Sequence, residues 1–487
     1  MRTWDLAIEV PDARTSDDPV YRRIAAVIAA DIERGRLRPG ERLSSTRILA
    51  DQLGVNRNTV VAAFEVLRVG GWIEGGSTRG TFVTRLLPRR APSPASPATA
   101  PAGSAVDSAG FDVGPDVPDL RPIRAPGLHL LLGGVPDLRL VPHRELARAY
   151  RHALAGARGR RSIDYADPQG NERLRLALGD LLARTRGIHA PPPSICVVRG
   201  SQHGLYLIAR TLIRPGDVVA IEATGFPPGW RVMEEAGAEL APIAVDRDGL
   251  DVDALARLAA TRRVRAVVVT PHHQYPTTVT LSAERRRRLL ALAAAHRMIV
   301  VEDDYDFEFH YDGPPVLPLA ASDPDRVVVY VATMSKSLAP GLRVGYVVAP
   351  PEVVRRIAHY RWFVDQQGDH VVEHAVASLL EDGVVQRHTR RARRAYRSRR
   401  DALVEALRSR IPEIELEVPA GGMAVWARVP GLDATGWRTR AMAAGVSIQA
   451  GRGLSVDGSA WEHVRLGFAA CTEAELVAAV EILAGCR

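Results

Sequence analysis

The sequence predicts an α/β protein in two folded units: a small helical unit near the N-terminus and a large unit built on a parallel sheet, joined by a linker. Three observations carry this expectation. Valine-rich runs such as "RAVVVTP", "RMIVVEDD" and "RVVVYVAT" alternate with helical stretches from residue 128 onward, the pattern of buried strands in a sheet covered on both faces. Residues 86 to 127, "LLPRRAPSPASPATAPAGSAVDSAGFDVGPDVPDLRPIRAPG", replace apolar periodicity with proline, alanine, serine and glycine. Such a composition buries too little surface to offset ordering entropy and reads as a flexible, semi-extended linker. A chain of 487 residues also exceeds one core, at roughly 100–200 residues per domain. The units are therefore placed at residues 1–85 and 128–487, with the linker at 86–127.

With 46% hydrophobic and 25% charged residues, the chain has a globular composition. Cys196, Cys471 and Cys486 are far apart and form no C-x-x-C pair, which suggests neither a disulfide framework nor a thiolate zinc site and fits a reducing cytoplasm. The start, "MRTWDLAIEVPDARTSDD", is acidic and lacks an apolar core; no apolar run nears the ~18 residues that span a bilayer. Neither a secreted nor a membrane protein is expected. The net charge is +8, and residues 20 to 84 hold ten arginines against six acids, a local excess that points to a polyanionic partner.

In the small unit, "VYRRIAAVIAADIERG" repeats Ile24, Val27, Ile28 and Ile32 at helical spacing until Gly35. A turn leads to "STRILADQLG", a short helix ended by Gly54. Next, "VNRNTVVAAFEVLRVGG" offers Asn56 as an N-cap and places Val60, Phe64 and Leu67 on one face. Two short strand patterns around a Gly/Ser turn follow in "WIEGGSTRGTFV". Helix, helix-turn-helix and hairpin is the order of a winged helix-turn-helix. Over this whole stretch the sequence resembles the DNA-binding domain of the GntR family. The resemblance implies that Arg47 before the second helix, Arg57, Asn58 and Thr59 at the start of the recognition helix, and Arg79 and Gly80 at the wing tip approach DNA. "LSSTR" departs from the family where a proline commonly follows the leucine.

In the large unit, ligands are expected at the carboxyl ends of the strands, where the polar clusters lie. The strand in "VVRGSQHGLYL" gives way at Ser201 and Gln202 to a helix whose free N–H groups suit a phosphate. "VVYVATMSKSLAPGLRVG" offers the hydroxyls of Thr333 and Ser335, the amine of Lys336 and the guanidinium fork of Arg343. Lys336 is the only lysine of the chain, among 64 Lys and Arg residues. Arginine replaces lysine on a solvated surface but not where an amine must lose its proton and attack a carbonyl. "MIVVEDDYDFEF" ends a strand in carboxylates; period-two alternation puts Asp303 and Tyr305 on one face and Asp304 on the other. Pyridoxal phosphate needs a phosphate cup, a lysine and a carboxylate that keeps its ring nitrogen protonated. Asp303 suits the last role and Tyr305 a hydrogen bond to the ring hydroxyl.

Together and in this order the clusters resemble fold-type I aminotransferases across nearly all of residues 128–487. That likeness implies a Schiff base at Lys336, an aromatic stack from Phe226 in "EATGFPPGW" and a substrate-carboxylate contact from Arg465 in "VRLGFA". The family's asparagine before the strand-loop proline is replaced by Tyr275, and "QYPTTV" lacks the usual glycine; Gln274 is then the candidate ring-hydroxyl donor of that loop. GntR-like domain, linker and aminotransferase-like domain, in that order, identify the sequence as a member of the MocR subfamily of bacterial transcription regulators. Membership implies a head-to-tail homodimer that binds operator DNA and senses an amine, an amino acid or pyridoxal phosphate itself, with transaminase turnover secondary. The alternative reading is a working aminotransferase with a fused DNA-binding domain. His272 and His273 are adjacent without further ligands near them in the pattern, so no metal site is expected. The run "QRHTRRARRAYRSRR" reads as a solvated helix face rather than a DNA-facing strip.

Overall fold

The structure is a computed structural model that describes residues 18–75, 80–87, 111–112, 127–155, 159–160 and 162–487. The chain divides into two compact units, Met1–Leu120 and Arg121–Arg487.

The first unit is a helical trio with a hairpin. Its opening helix, Val20–Glu33, buries Ile24, Ile28 and Ile32. The next, Thr46–Leu53, starts at Ser45, whose hydroxyl accepts the Ile48 N–H, and ends where Gly54 turns left-handed. Arg47 thus lies inside the first turn of this helix rather than before it. The recognition helix, Arg57–Val69, is capped by the Asn56 side chain and buries Val60, Ala63, Phe64 and Leu67. Strands Ile73–Glu74 and Phe82–Val83 pair antiparallel. Between them Arg79 lies outside the described residues, whereas Gly80 at the base of the wing is described.

The second unit holds a seven-stranded sheet in the spatial order Ile195–Val198, Gly345–Val348, Val328–Thr333, Ile299–Asp304, Val264–Val269, Val218–Glu222, Glu239–Ile243. Alternate residues of each strand feed opposite cores: Val197, Val267, Val300 and Tyr330 join one face, Val198, Ala266, Val301 and Val331 the other. Gly345–Val348 runs antiparallel to both its neighbours, a departure from the expected parallel sheet. The eleven residues from Met334 to Val344 hold no crossover helix, and a parallel return needs about a dozen or more residues.

A four-stranded antiparallel sheet follows, made of Glu415–Leu416, Ala424–Arg428, His463–Gly467 and Gln449–Ala450. It builds a separate core with the helices Val384–Arg410, Ala434–Ala443 and Glu473–Gly485, around the fully buried Trp437. The arginine run lies on Val384–Arg410 and is not uniformly solvated. Arg399 and Arg400 are buried, paired with Asp137 at 2.8 Å and Asp312 at 2.5 Å, while Arg390, Arg393 and Arg394 are exposed. Among the described residues no helix is long and apolar enough to cross a membrane.

Candidate functional site

The strand Ile299–Asp304 decides the layout of the site. Asp304 points to one face, where it accepts the Tyr330 hydroxyl at 2.5 Å and lies 3.6 Å from the buried Arg186 guanidinium. Asp303 points to the other, toward Lys336, and its Oδ1 is buried with no hydrogen-bond partner among the described residues. Burial, reinforced by the neighbouring Asp304, Asp306 and Glu222, pushes the Asp303 carboxyl up to about 7. Lys336 follows the parallel neighbour strand Val328–Thr333. Burial, with help from Arg465, pulls its amine down to about 8, against the pull of Asp306 and Asp303. An ε-amine so placed is in large part a neutral nucleophile near pH 8.

Beside it, the Ser201–Leu212 helix opens at Gly200, whose φ of 83° suits glycine. A Cβ there would meet Arg343 Nη2 at 2.9 Å, so the guanidinium lies directly over the helix start, and it donates to the Arg199 carbonyl at 2.6 Å. Thr333 donates its hydroxyl to Ser335 Oγ at 2.9 Å and accepts the Ser335 N–H at 3.1 Å. Gln202 donates to the Pro228 carbonyl at 2.9 Å and leaves its Oε1 buried and unpaired.

Arg465, on the strand His463–Gly467, is fully buried and makes no ion pair among the described residues; its Nε and Nη1 have no hydrogen-bond partner. It lies 4.4 Å over the Tyr275 ring and against Gly133, where a Cβ would collide with its guanidinium. A Cβ on the next residue, Gly134, would approach Lys336 Nζ at 3.4 Å. The Tyr275 ring also meets Phe226 edge-on at 5.3 Å and Tyr305 at 6.1 Å. Tyr305 donates its hydroxyl to the His273 carbonyl at 2.9 Å.

The fold thus brings Asp303, Tyr305, Lys336, Arg465 and Phe226 around Tyr275 or Lys336, and Arg343 over the helix start at Ser201. The Gln274 amide is engaged within its own surroundings: it donates to Glu222, a neighbour of Asp303, at 3.0 Å and to the Thr224 carbonyl at 2.7 Å. Four participants were not anticipated. Asp306 is buried and interacts with Lys336, Arg465 and Tyr305; its place in "DDYDFEF" was the available signal. Gly133 and Gly134 come from a distant segment with no motif of their own. Tyr275 was noted only as a departure from a family pattern.

The donor set fits pyridoxal phosphate on three counts. The buried Asp303 oxygen without a partner among the described residues would suit a protonated ring nitrogen, the cationic helix start would suit a phosphate, and the chain's only ε-amine lies near both.

On the first unit, Arg47, Arg57 and Asn58 are exposed on adjoining helix starts, with Thr59 partly buried. Arg57 Nε lies 3.5 Å from Thr46 Oγ1. A Cβ on Gly80 would meet Arg42 Nε at 2.7 Å, which adds Arg42 to the basic face.

The raised Asp303 value yields a stability prediction. An acid whose folded pKa of about 7 exceeds an unfolded value near 4 holds its proton in the folded state when the unfolded chain has lost it. Stability then falls as pH rises from about 4 to 7 and stays lowered above. Asp303→Asn should remove roughly 4 kcal/mol of that decline, at 1.36 kcal/mol per unit, in urea titrations of protein without added ligand.

Residues 20–83 match the gntR family of bacterial regulatory proteins, and residues 138–483 match aminotransferase class I and II. The chain is 31% identical over 424 residues to the probable rhizopine catabolism regulatory protein MocR of Rhizobium meliloti, covering 85% of this chain and 83% of that protein. It is 32% identical over 417 residues to the pyridoxine biosynthesis transcriptional regulator PdxR of Corynebacterium glutamicum, covering 85% of each. Among solved structures, the α-aminoadipate aminotransferase LysN of Thermus thermophilus, complexed with N-(5'-phosphopyridoxyl)-L-leucine, superposes with a TM-score of 0.69 at 26% identity, over 74% of this chain and 92% of that one. With a winged helix for DNA at one end and an aminotransferase fold at the other, the chain belongs to the MocR subfamily of GntR-type transcription regulators.

Proposed function

We propose that this regulator holds pyridoxal phosphate at Lys336 and that an amino compound, or the cofactor itself, entering that site changes its affinity for operator DNA. The observation that carries the reading is a pair of buried, incompletely satisfied ionisable groups, Asp303 and Arg465, facing the only ε-amine of the chain. Each costs desolvation energy in the ligand-free protein, and each is satisfied by a complementary group on a ligand.

When bound, pyridoxal phosphate supplies an electrophilic carbonyl carbon and an electron-withdrawing ring. Lys336 would bond to it through Nζ, and the depressed pKa leaves a useful neutral fraction for that attack. Asp303 would hold a proton at the ring nitrogen. The Ser201 and Gln202 N–H groups, Arg343, Thr333 and Ser335 would hold the phosphate, and Phe226 and Tyr305 would flank the ring. Arg465 would accept the carboxylate of an amino-acid effector as a charge-assisted pair. The name of PdxR ties that relative to pyridoxine biosynthesis, which supports the cofactor as one candidate signal.

On DNA, Arg47, Arg57, Asn58, Thr59 and the wing at Gly80 and Arg79 are the proposed contacts. Two such readers in a head-to-tail homodimer raise the effective concentration at the second half-site.

Borohydride reduction after incubation with pyridoxal phosphate should label the Lys336 peptide. The rate of capture should rise through about pH 8 rather than near the 10.4 of a free lysine. Lys336→Arg should give no labelled internal peptide; labelling elsewhere would sink the assignment.

Arg57→Ala should weaken operator binding by about 1–3 kcal/mol and relax preference at one base position if Arg57 reads a base. Equal losses on operator and random DNA would make it a phosphate contact.

Arg465→Met should keep cofactor capture and effector-free DNA binding but lose the response to an amino acid. That response is expected to be a 5–150-fold change in operator affinity. A normal response would mean that the effector lacks a carboxylate or that pyridoxal phosphate alone is the signal.

A further inference from the structure

The fold adds a third imidazole to the adjacent pair His272 and His273. His310 comes from the loop after the Ile299–Asp304 strand, and one ring nitrogen of each of the three lies within 4.8 Å of the other two. We propose that His272, His273 and His310 bind one divalent first-row transition-metal ion, of which zinc is the test case. The proposal is independent of the reading of Lys336.

Four observations support it. First, His273 Nε2 and His310 Nδ1 lie 3.3 Å apart, close to the separation of two nitrogens on a tetrahedral ion with bonds of about 2.0–2.1 Å; the two rings, within 7° of coplanar, would have to turn toward the ion. Second, their far nitrogens are engaged in the manner of ligating histidines: His273 Nδ1 with Asp306 at 2.8 Å, and His310 Nε2 with the Asp312 carbonyl at 2.9 Å. Third, His272 is 3% exposed, yet neither of its ring nitrogens has a hydrogen-bond partner among the described residues, a cost expected only where a partner is supplied. Fourth, His310 and Phe307 line a cavity of about 530 Å³, and His272 packs on the Phe307 ring at 4.7 Å, so an ion has an entry path. Three imidazoles without a thiolate suit zinc, copper, nickel or cobalt rather than magnesium or calcium. The fourth position of a tetrahedral ion would be open to a small ligand. Arg186 and Arg286 place positive charge near His272, offset in part by Glu308, which pairs with Arg186 at 2.7 Å. Because Asp306 also faces Lys336 and Arg465, an ion here would be linked to the neighbouring site.

The test is calorimetric titration of untagged, chelator-treated full-length protein with Zn²⁺, with elemental analysis of the dialysed complex. One ion per chain is expected. His310→Ala, at a partly buried position, and His272→Ala should each weaken binding at least tenfold, while His296→Ala on the distant helix Ala283–His296 should not. Retained far-ultraviolet circular dichroism of His310→Ala keeps the result interpretable if His272→Ala fails to fold. Absence of stoichiometric binding, or unchanged binding in folded His310→Ala, would overturn the proposal and leave His273 and His310 as a hydrogen-bonded pair.

Discussion

The two-residue period of the Ile299–Asp304 strand is the constraint on which the large unit depends. It sorts a run of carboxylates that could not be buried on one face. Glu302 and Asp304 turn to the side where Glu302 accepts the Leu319 and Ala320 N–H groups at 2.7 and 2.9 Å and Asp304 meets Tyr330 and Arg186. Asp303 turns alone to the opposite side, toward the lysine. A slip of one residue would exchange these environments, exposing Asp303 to Arg186 and stranding Glu302 and Asp304 beside Lys336. The neighbouring strand has the same logic, since Tyr330 serves the structural face and Thr333 leads into the site.

The two faces differ in how their buried charged groups are paired. On the scaffold side the buried arginines have several partners: Arg186 pairs with Glu308 at 2.7 Å, and Arg286 donates to the carbonyls of Leu281, Leu317 and Pro271, although Arg186 Nε and Asp304 Oδ1 have no hydrogen-bond partner among the described residues. Such networks hold geometry because removing one partner strands another in a low dielectric. On the site side Asp303 and Arg465 are held by the same rigid sheets without a salt bridge among the described residues. A site preorganised in this way stores desolvation cost that a ligand can relieve. A ligand moves a two-state equilibrium only through unequal affinity for the two states. For the proposed effector, groups that a bound ligand would satisfy would be a direct source of that inequality.

Much of this was legible locally. The single lysine, the alternation that chooses Asp303 over Asp304, the caps at Ser45 and Asn56, and the helix start at Ser201 all follow from neighbours a few residues apart, the range over which backbone periodicity and capping act. Resemblance to GntR and aminotransferase sequences extended the reading to Phe226 and Arg465, which no local rule singles out. The antiparallel return of Gly345–Val348 was missed because valine-rich strands look alike in either direction. The four-stranded sheet was missed because two of its strands are only two residues long and none carries a valine-rich run.

By itself, then, the sequence indicated the two units, the strands and helices around Lys336 and Asp303, and the side of the Ile299–Asp304 strand on which each carboxylate stands. Only the tertiary structure decided which distant segments meet. It set Gly133 and Gly134 against Arg465 and Lys336, engaged Gln274 with Glu222, drew Arg399 and Arg400 out of a seemingly solvated run into buried pairs, and carried His310 to His272 and His273. The physical reason is one of range: side-chain direction is set by the backbone within a turn or a pleat, whereas contacts across tens to hundreds of residues follow from strand order and packing, which no local pattern encodes.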